Sequence, residues 1–181
     1  MKAILILMVI FFSSVSAQNS SSQGKKQLTT VDSVDLRRYA GRWYEFARLP
    51  NRFQKKCAGD VTASYAIRED GRIDVTNRCL NTDGSVRESK GIARVSDPKT
   101  NAKLEVSFVS IFGFNLFWGD YWIIGLADDY SWAIVGTPSR KYGWILSRTT
   151  DLPQEEWNRI NRILEDKGYE PSAFNKTKHQ N

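Results

Sequence analysis

At 181 residues the chain has the length of one ordinary domain, long enough to bury a real core. Its only histidine is His179, in a polar tail, which leaves nothing from which to build a Ser-His-Asp triad or a histidine metal cluster, and no phosphate-cradling glycine loop of the P-loop kind occurs. The net charge is +6, but the charges are interspersed and form no basic stripe of a nucleic-acid-binding module. The expectation is a protein that is no enzyme, needs no metal or cofactor and does not bind nucleic acid.

In chain order, Lys2 precedes an apolar run over 3–12 and a small-residue group over 13–17. The run is too short for a membrane span of about 20 residues, and Val15-Ser16-Ala17 suits cleavage before Gln18. Residues 1–17 are therefore expected to be a removed export signal, which leaves the mature chain at about +5. Cys57 and Cys79, the only cysteines, form an even pair in a chain bound for an oxidising compartment. No cysteine follows the cut, so a soluble periplasmic or extracellular protein without a lipid anchor is expected. Residues 18–30, with Ser20-Ser21-Ser22, Gly24 and Lys25-Lys26, read as a disordered leader, and folded sequence begins near Val31.

Short alternating or apolar segments then recur between turn residues, as in an all-β barrel or sandwich. A first strand spans about 42–49 and a second 60–67, where Val61, Ala63, Tyr65 and Ile67 alternate with polar neighbours, giving one wet and one dry face. Arg68-Glu69-Asp70-Gly71 makes a tight turn into a third strand with Ile73, Val75, Asn77 and Cys79 on one face. Strands over 85–95 and 103–108 are split by the turn at 96–101, and 122–126, 132–136 and 142–148 supply three more. Eight strands with mostly short links suit an antiparallel up-and-down barrel. A helix follows: Asp151 is the expected N-cap, Pro153 fits the first turn, Trp157, Ile160, Ile163 and Leu164 recur at helical spacing, and Gly168 offers a stop. Its apolar stripe should pack on the outside of the barrel. Residues 175–181 read as a polar C-terminal tail.

Three motifs in order, Gly41-Arg42-Trp43-Tyr44-Glu45, Asp128-Asp129-Tyr130 and Trp144-Ile145-Leu146-Ser147-Arg148, make residues 31–174 resemble a lipocalin, and more narrowly the bacterial outer-membrane-lipoprotein-like branch to which apolipoprotein D is related. Alternate links of an up-and-down barrel lie at alternate ends, so Gly41, Trp43, Asp128, Tyr130 and Arg148 converge on one closed end, with Arg148 over the face of Trp43. The same parity brings Cys57 and Cys79 together at the open end. A disulfide there would close a loop worth roughly 3 kcal/mol; the alternative is a reactive thiol, as in lipid isomerases of this fold.

The resemblance implies a secreted or periplasmic binder of one hydrophobic ligand: a fatty acid, lysophospholipid or related membrane lipid, for lipid transport, storage or membrane maintenance. The alternatives are a carrier of another apolar molecule, such as a tetrapyrrole, isoprenoid or signalling compound, and a thiol-dependent lipid isomerase. Strict alternation turns Trp43, Glu45, Ala47, Tyr65, Asn77, Val106, Phe108, Trp144 and Leu146 inward as a largely apolar lining. Glu45, assigned to the barrel floor, and Asn77, nearer the mouth, must find partners there, because unpaired buried polar groups cost several kcal/mol. The link over 110–119 carries Phe112, Phe114, Phe117 and Trp118 to the open end, where water calls for polar residues. It is read as a lid, as a surface for a bilayer or a second subunit, or as an extension of the strands into the core. Arg52, Lys55 and Lys56 lie at the same mouth, where they would steer an anionic head group or a transient membrane contact. Monomer and homodimer both remain open.

Overall fold

The computed structural model describes residues 27–111 and 114–180. The expected export signal, most of the leader and Phe112 lie outside the described residues.

A single turn of helix, α1 (Leu36–Tyr39), leads directly into the first strand. Asp35 caps it, its Oδ1 accepting from the amides of Arg37 (2.8 Å) and Arg38 (3.3 Å). The strands that follow are β1 (Gly41–Arg48), β2 (Cys57–Ile67), β3 (Ile73–Asn81), β4 (Val86–Val95) and β5 (Lys103–Ser107). A short hairpin, β6 (Val109–Ile111) with β7 (Phe114–Leu116), precedes β8 (Gly119–Leu126), β9 (Trp132–Gly136) and β10 (Gly143–Ser147). After α2 (Gln154–Asp166) and a turn of 3-10 helix at Pro171–Ala173 comes β11 (Asn175–Lys176).

Among the described residues every pairing is antiparallel; the barrel strands pair in chain order, β5 to β8 across the hairpin included, and β10 closes on β1. The result is a closed eight-stranded barrel with one helix outside, the architecture that the alternation implies. Closure also removes the free edges on which an open sheet would aggregate.

Two apolar layers form. Inside the barrel, Trp43, Ile73, Val75, Leu104, Ile123, Val135 and Leu146 pack together. Outside it, Ile160 and Leu164 of α2 are fully buried against Phe46, Ile124, Trp132, Ile134 and Ile145. The cap of α2 differs from expectation: Pro153 occupies the N-cap position, and Asp151 Oδ1 instead accepts from the Leu152 amide at 2.9 Å.

Three stretches depart from the sequence reading. Leu28, assigned to the disordered leader, is 4 % exposed and packs into the outer layer, and the next residue, Thr29, accepts from Lys167 Nζ at 2.7 Å. Ala47 lies in that outer layer instead of the lumen. The register between β1 and β10 slips between Glu45 and Ala47, and this bulge turns Phe46 and Ala47 to the same side.

The polar tail, thirdly, is part of the wall. β1 pairs with β2 only over Gly41–Tyr44; beyond that the two strands separate, and β11 joins β1 at Ala47 and Arg48. The Thr177 amide donates to the Phe46 carbonyl (2.9 Å) and the Asp60 amide to the Lys178 carbonyl (2.8 Å). The tail thus fills the wedge between β1 and β2. Gly59 permits this approach: a Cβ there would stand 2.5 Å from the Lys178 carbonyl oxygen.

Candidate functional site

The closed end is built around Trp43, which is fully buried and donates from Nε1 to the Tyr39 carbonyl at 2.8 Å. The Arg148 guanidinium lies over its ring, Cζ at 3.7 Å from the centroid. Arg148 Nη1 donates to the Arg42 carbonyl (2.7 Å), and Nη2 to those of Arg38 (2.7 Å), Ala40 (3.0 Å) and Tyr39 (3.2 Å). One cation therefore ties the end of α1 to the start of β1, where Gly41 takes a φ of +92°. Tyr130 accepts the Asp35 amide on its hydroxyl (2.8 Å), and its ring lies 4.0 Å below Arg38, which donates to the Asp128 carbonyl at 3.0 Å. Gly41, Trp43, Asp128, Tyr130 and Arg148 thus sit together as a plug.

Above the plug the barrel encloses a cavity of about 810 Å³, open at the opposite end. Its wall includes Glu45, Tyr65, Asn77, Val106, Trp144 and Leu146, with Phe108 at the rim. The alternation turns these residues inward as it does Val61, Val75 and Leu104; Ala47 alone of the proposed lining faces the other way.

Glu45, 3 % exposed, is satisfied within the wall rather than at the floor. It accepts from Arg48 Nη1 (2.5 Å), Gln54 Nε2 (2.5 Å) and Thr177 Oγ1 (2.6 Å). Gln54 Oε1 in turn accepts from Trp144 Nε1 at 3.1 Å. A carboxylate with three donors, one of them a guanidinium, needs no ligand to offset its burial. It fastens the first link and the tail to the lumen wall. His179 joins the same seam, its Nε2 2.9 Å from the Glu45 carbonyl oxygen and its ring edge-on to Tyr44.

Deeper in, three phenols meet. Tyr121 Oη lies 2.7 Å from Tyr39 Oη and 2.9 Å from Tyr65 Oη, and all three residues line the cavity. Burial pushes the Tyr65 hydroxyl up to about 12, against the lowering effect of its bond to Tyr121. Burial likewise raises Tyr39 and Tyr121 well above the usual phenol value; both neighbouring phenols raise Tyr121 further, whereas Tyr39 is raised by Tyr65 and lowered by its bond to Tyr121. All three remain neutral at physiological pH. Of the triad the sequence reading named only Tyr65. Tyr39 precedes the first strand, and Tyr121 lies before the expected start of the sixth; counting back by two from the inward Ile123 reaches Tyr121.

At the open end Cys57 and Cys79 are joined in a disulfide with 5.6 Å between their Cα atoms, so both cysteines of the chain are committed. Around the mouth, Phe53, Val86, Phe108 and Val109 are exposed, as are Phe114 (73 %) and Phe117 (82 %) of the β6–β7 hairpin. These make up all but Ile67 of the exposed large apolar side chains among the described residues. Phe117 and Phe108 touch the cavity, whereas Trp118 lies on the outer face beneath Arg94, 4.1 Å from its Cζ. Trp118 thus departs from its expected place at the mouth, because the chain re-enters the barrel at Gly119 and leaves the indole on the outward side of the wall. Arg52 borders the cavity, and Lys55 and Lys56 are exposed on the same link.

A family model described as a lipocalin-like domain matches residues 34–179. Temperature-induced lipocalin-1 of Arabidopsis thaliana is 38% identical over 156 residues, covering 84% of this chain and 83% of that protein. Outer membrane lipoprotein Blc of Escherichia coli K12 is 37% identical over 156 residues (86% and 85% covered), and apolipoprotein D of Mus musculus 28% over 192 residues (98% and 97%). Among solved structures, insecticyanin of the tobacco hornworm Manduca sexta superposes with a TM-score of 0.68 at 21% identity, covering 84% of this chain and 85% of that one; at that identity the likeness concerns the fold.

Proposed function

The chain belongs to the lipocalin family, whose members bind hydrophobic ligands, and we propose that it carries one fatty acid, lysophospholipid or related membrane lipid inside the barrel. The observation that carries this reading is the cavity itself: about 810 Å³, walled mainly by apolar side chains, with one open end. Eight strands leave room for side chains plus about one small ligand. Burial of acyl CH₂ groups, at roughly 0.8 kcal/mol each, would supply the affinity.

The mouth favours a lipid taken from or delivered to a bilayer. Phe114, Phe117, Phe53 and Phe108 form an apolar rim, and Arg52, Lys55 and Lys56 stand beside it. Aromatic side chains flanked by cations suit the interface of an anionic membrane, each cation near the surface contributing about 1 kcal/mol. We accordingly read the 110–119 link as a transient membrane contact. The disulfide fits an exported, oxidising location, and no helix among the described residues is long and apolar enough to cross a membrane.

Mass spectrometry of the organic extract from gently purified protein tests the ligand class. The expected result is about one equivalent of acyl lipid per chain. A tetrapyrrole or isoprenoid in its place, with no acyl lipid and no fatty-acid titration, would replace this reading with that of a different carrier.

A further inference from the structure

The tyrosine triad at the cavity floor has a proton count with a consequence for the ligand. Three neutral hydroxyls hold three O–H protons, and only two hydroxyl-to-hydroxyl contacts exist, Tyr39 with Tyr121 and Tyr121 with Tyr65. Each contact uses one proton. Whichever way the chain is oriented, one O–H is left to donate elsewhere. Tyr39, Tyr65 and Tyr121 all border the cavity, so the remaining donor has the lumen beside it.

We propose that the triad is a subsite for an uncharged oxygen acceptor without a proton of its own, a ketone or ester oxygen, carried at the deep end of the bound lipid. This rests on the barrel being a lipid site and adds what the lipid carries.

Three features favour a neutral acceptor over a carboxylate. The triad offers one donor, whereas a buried carboxylate needs several and a counter-charge. The Arg148 guanidinium is on the far side of Trp43, with its N–H groups directed at backbone carbonyls. The Arg48 guanidinium, in the wall above, is already engaged by Glu45. A plain methyl end, for its part, would leave the remaining O–H facing hydrocarbon, the costly outcome for a buried donor. A terminal oxygen meets it.

The test uses hexadecanoic acid and 15-oxohexadecanoic acid, titrated into the wild-type protein and into the triple variant Tyr39→Phe/Tyr65→Phe/Tyr121→Phe. Removing one end phenol alone leaves two hydroxyls and one contact, so a donor still remains; all three must go. In the wild type the oxo acid is expected to bind at least as tightly as the plain acid. In the triple variant it should fall tenfold or more behind, with the plain acid unchanged or improved. Should the triple variant not fold, the wild type alone decides through the carbonyl stretch of bound 15-oxohexadecanoic acid. A band displaced to lower frequency than in hexane is expected. Equal handicap for the oxo acid in both proteins, a hexane-like carbonyl band, or loss of plain-acid affinity in the triple variant would overturn the proposal while leaving the lipid site standing. Failure of both acids to bind the wild type would remove the lipid site itself, a separate result.

Discussion

Replacing Trp43 with alanine is expected to destabilise the fold by about 3–5 kcal/mol, the largest effect of any single substitution in the closed end. The indole is fully buried, and three separate things depend on it. Its faces fill the floor between Tyr39, at 5.0 Å between ring centroids, and the Arg148 guanidinium. Its Nε1 satisfies the Tyr39 carbonyl where α1 ends. Removal also leaves a charged guanidinium facing a void, with loss of a cation–π contact worth roughly 0.5–2 kcal/mol. Urea unfolding followed by fluorescence and by circular dichroism measures this: the midpoint should fall with little change in slope. A variant within 1 kcal/mol of wild type would mean that Arg148 and α1 hold the closed end without the indole.

The second large effect concerns binding. Val106 lies on the cavity wall, between Ala93 of β4 and Gly119 of β8. Val106→Asp places a carboxylate where an acyl chain would lie. The empty cavity can hydrate that charge, so the fold should survive with a modest loss of stability. A bound chain would strip the water and leave the charge unpaired, a penalty of several kcal/mol, so fatty-acid affinity should drop at least 100-fold. A long-chain alkylamine, which brings its own cation, should lose far less. Equal loss of both ligands would indicate a damaged barrel, and no loss of either would mean that the ligand lies outside the lumen.

How much of this was legible in the sequence follows from the physics of each element. The barrel could be read because its strands alternate and its turns are chemically marked, as at Gly71, with φ +78°, or at Asp97, which accepts the Lys99 amide. The plug could be read because Gly41, Trp43 and Arg148 belong to motifs whose positions the parity of the links brings to one end. The inward positions of Tyr65, Asn77, Val106, Trp144 and Leu146 follow from a period of two. Ala47 defeats that rule because a bulge adds one residue to one strand, and no residue type marks it.

The tail was illegible for a different reason. Residues 175–180 carry no apolar pattern because their place in the wall rests on backbone hydrogen bonds and on polar contacts to Glu45 and Asp60. Such a segment has the composition of a disordered end. The one cue is Gly59, whose need for a close backbone approach becomes apparent only with Lys178 beside it. Glu45 was recognised as requiring partners, but Arg48, Gln54 and Thr177 come from three parts of the chain. Their convergence is a property of the closed barrel.

The central claim, that the barrel takes up one lipid, is tested most directly by calorimetric titration of delipidated wild-type protein with oleic acid below its micellar range at several temperatures. The account predicts saturation at one equivalent per chain with a negative heat-capacity change, the signature of apolar surface leaving water. Absence of saturable heat at every temperature, or uptake of many equivalents with no heat-capacity change, would contradict it.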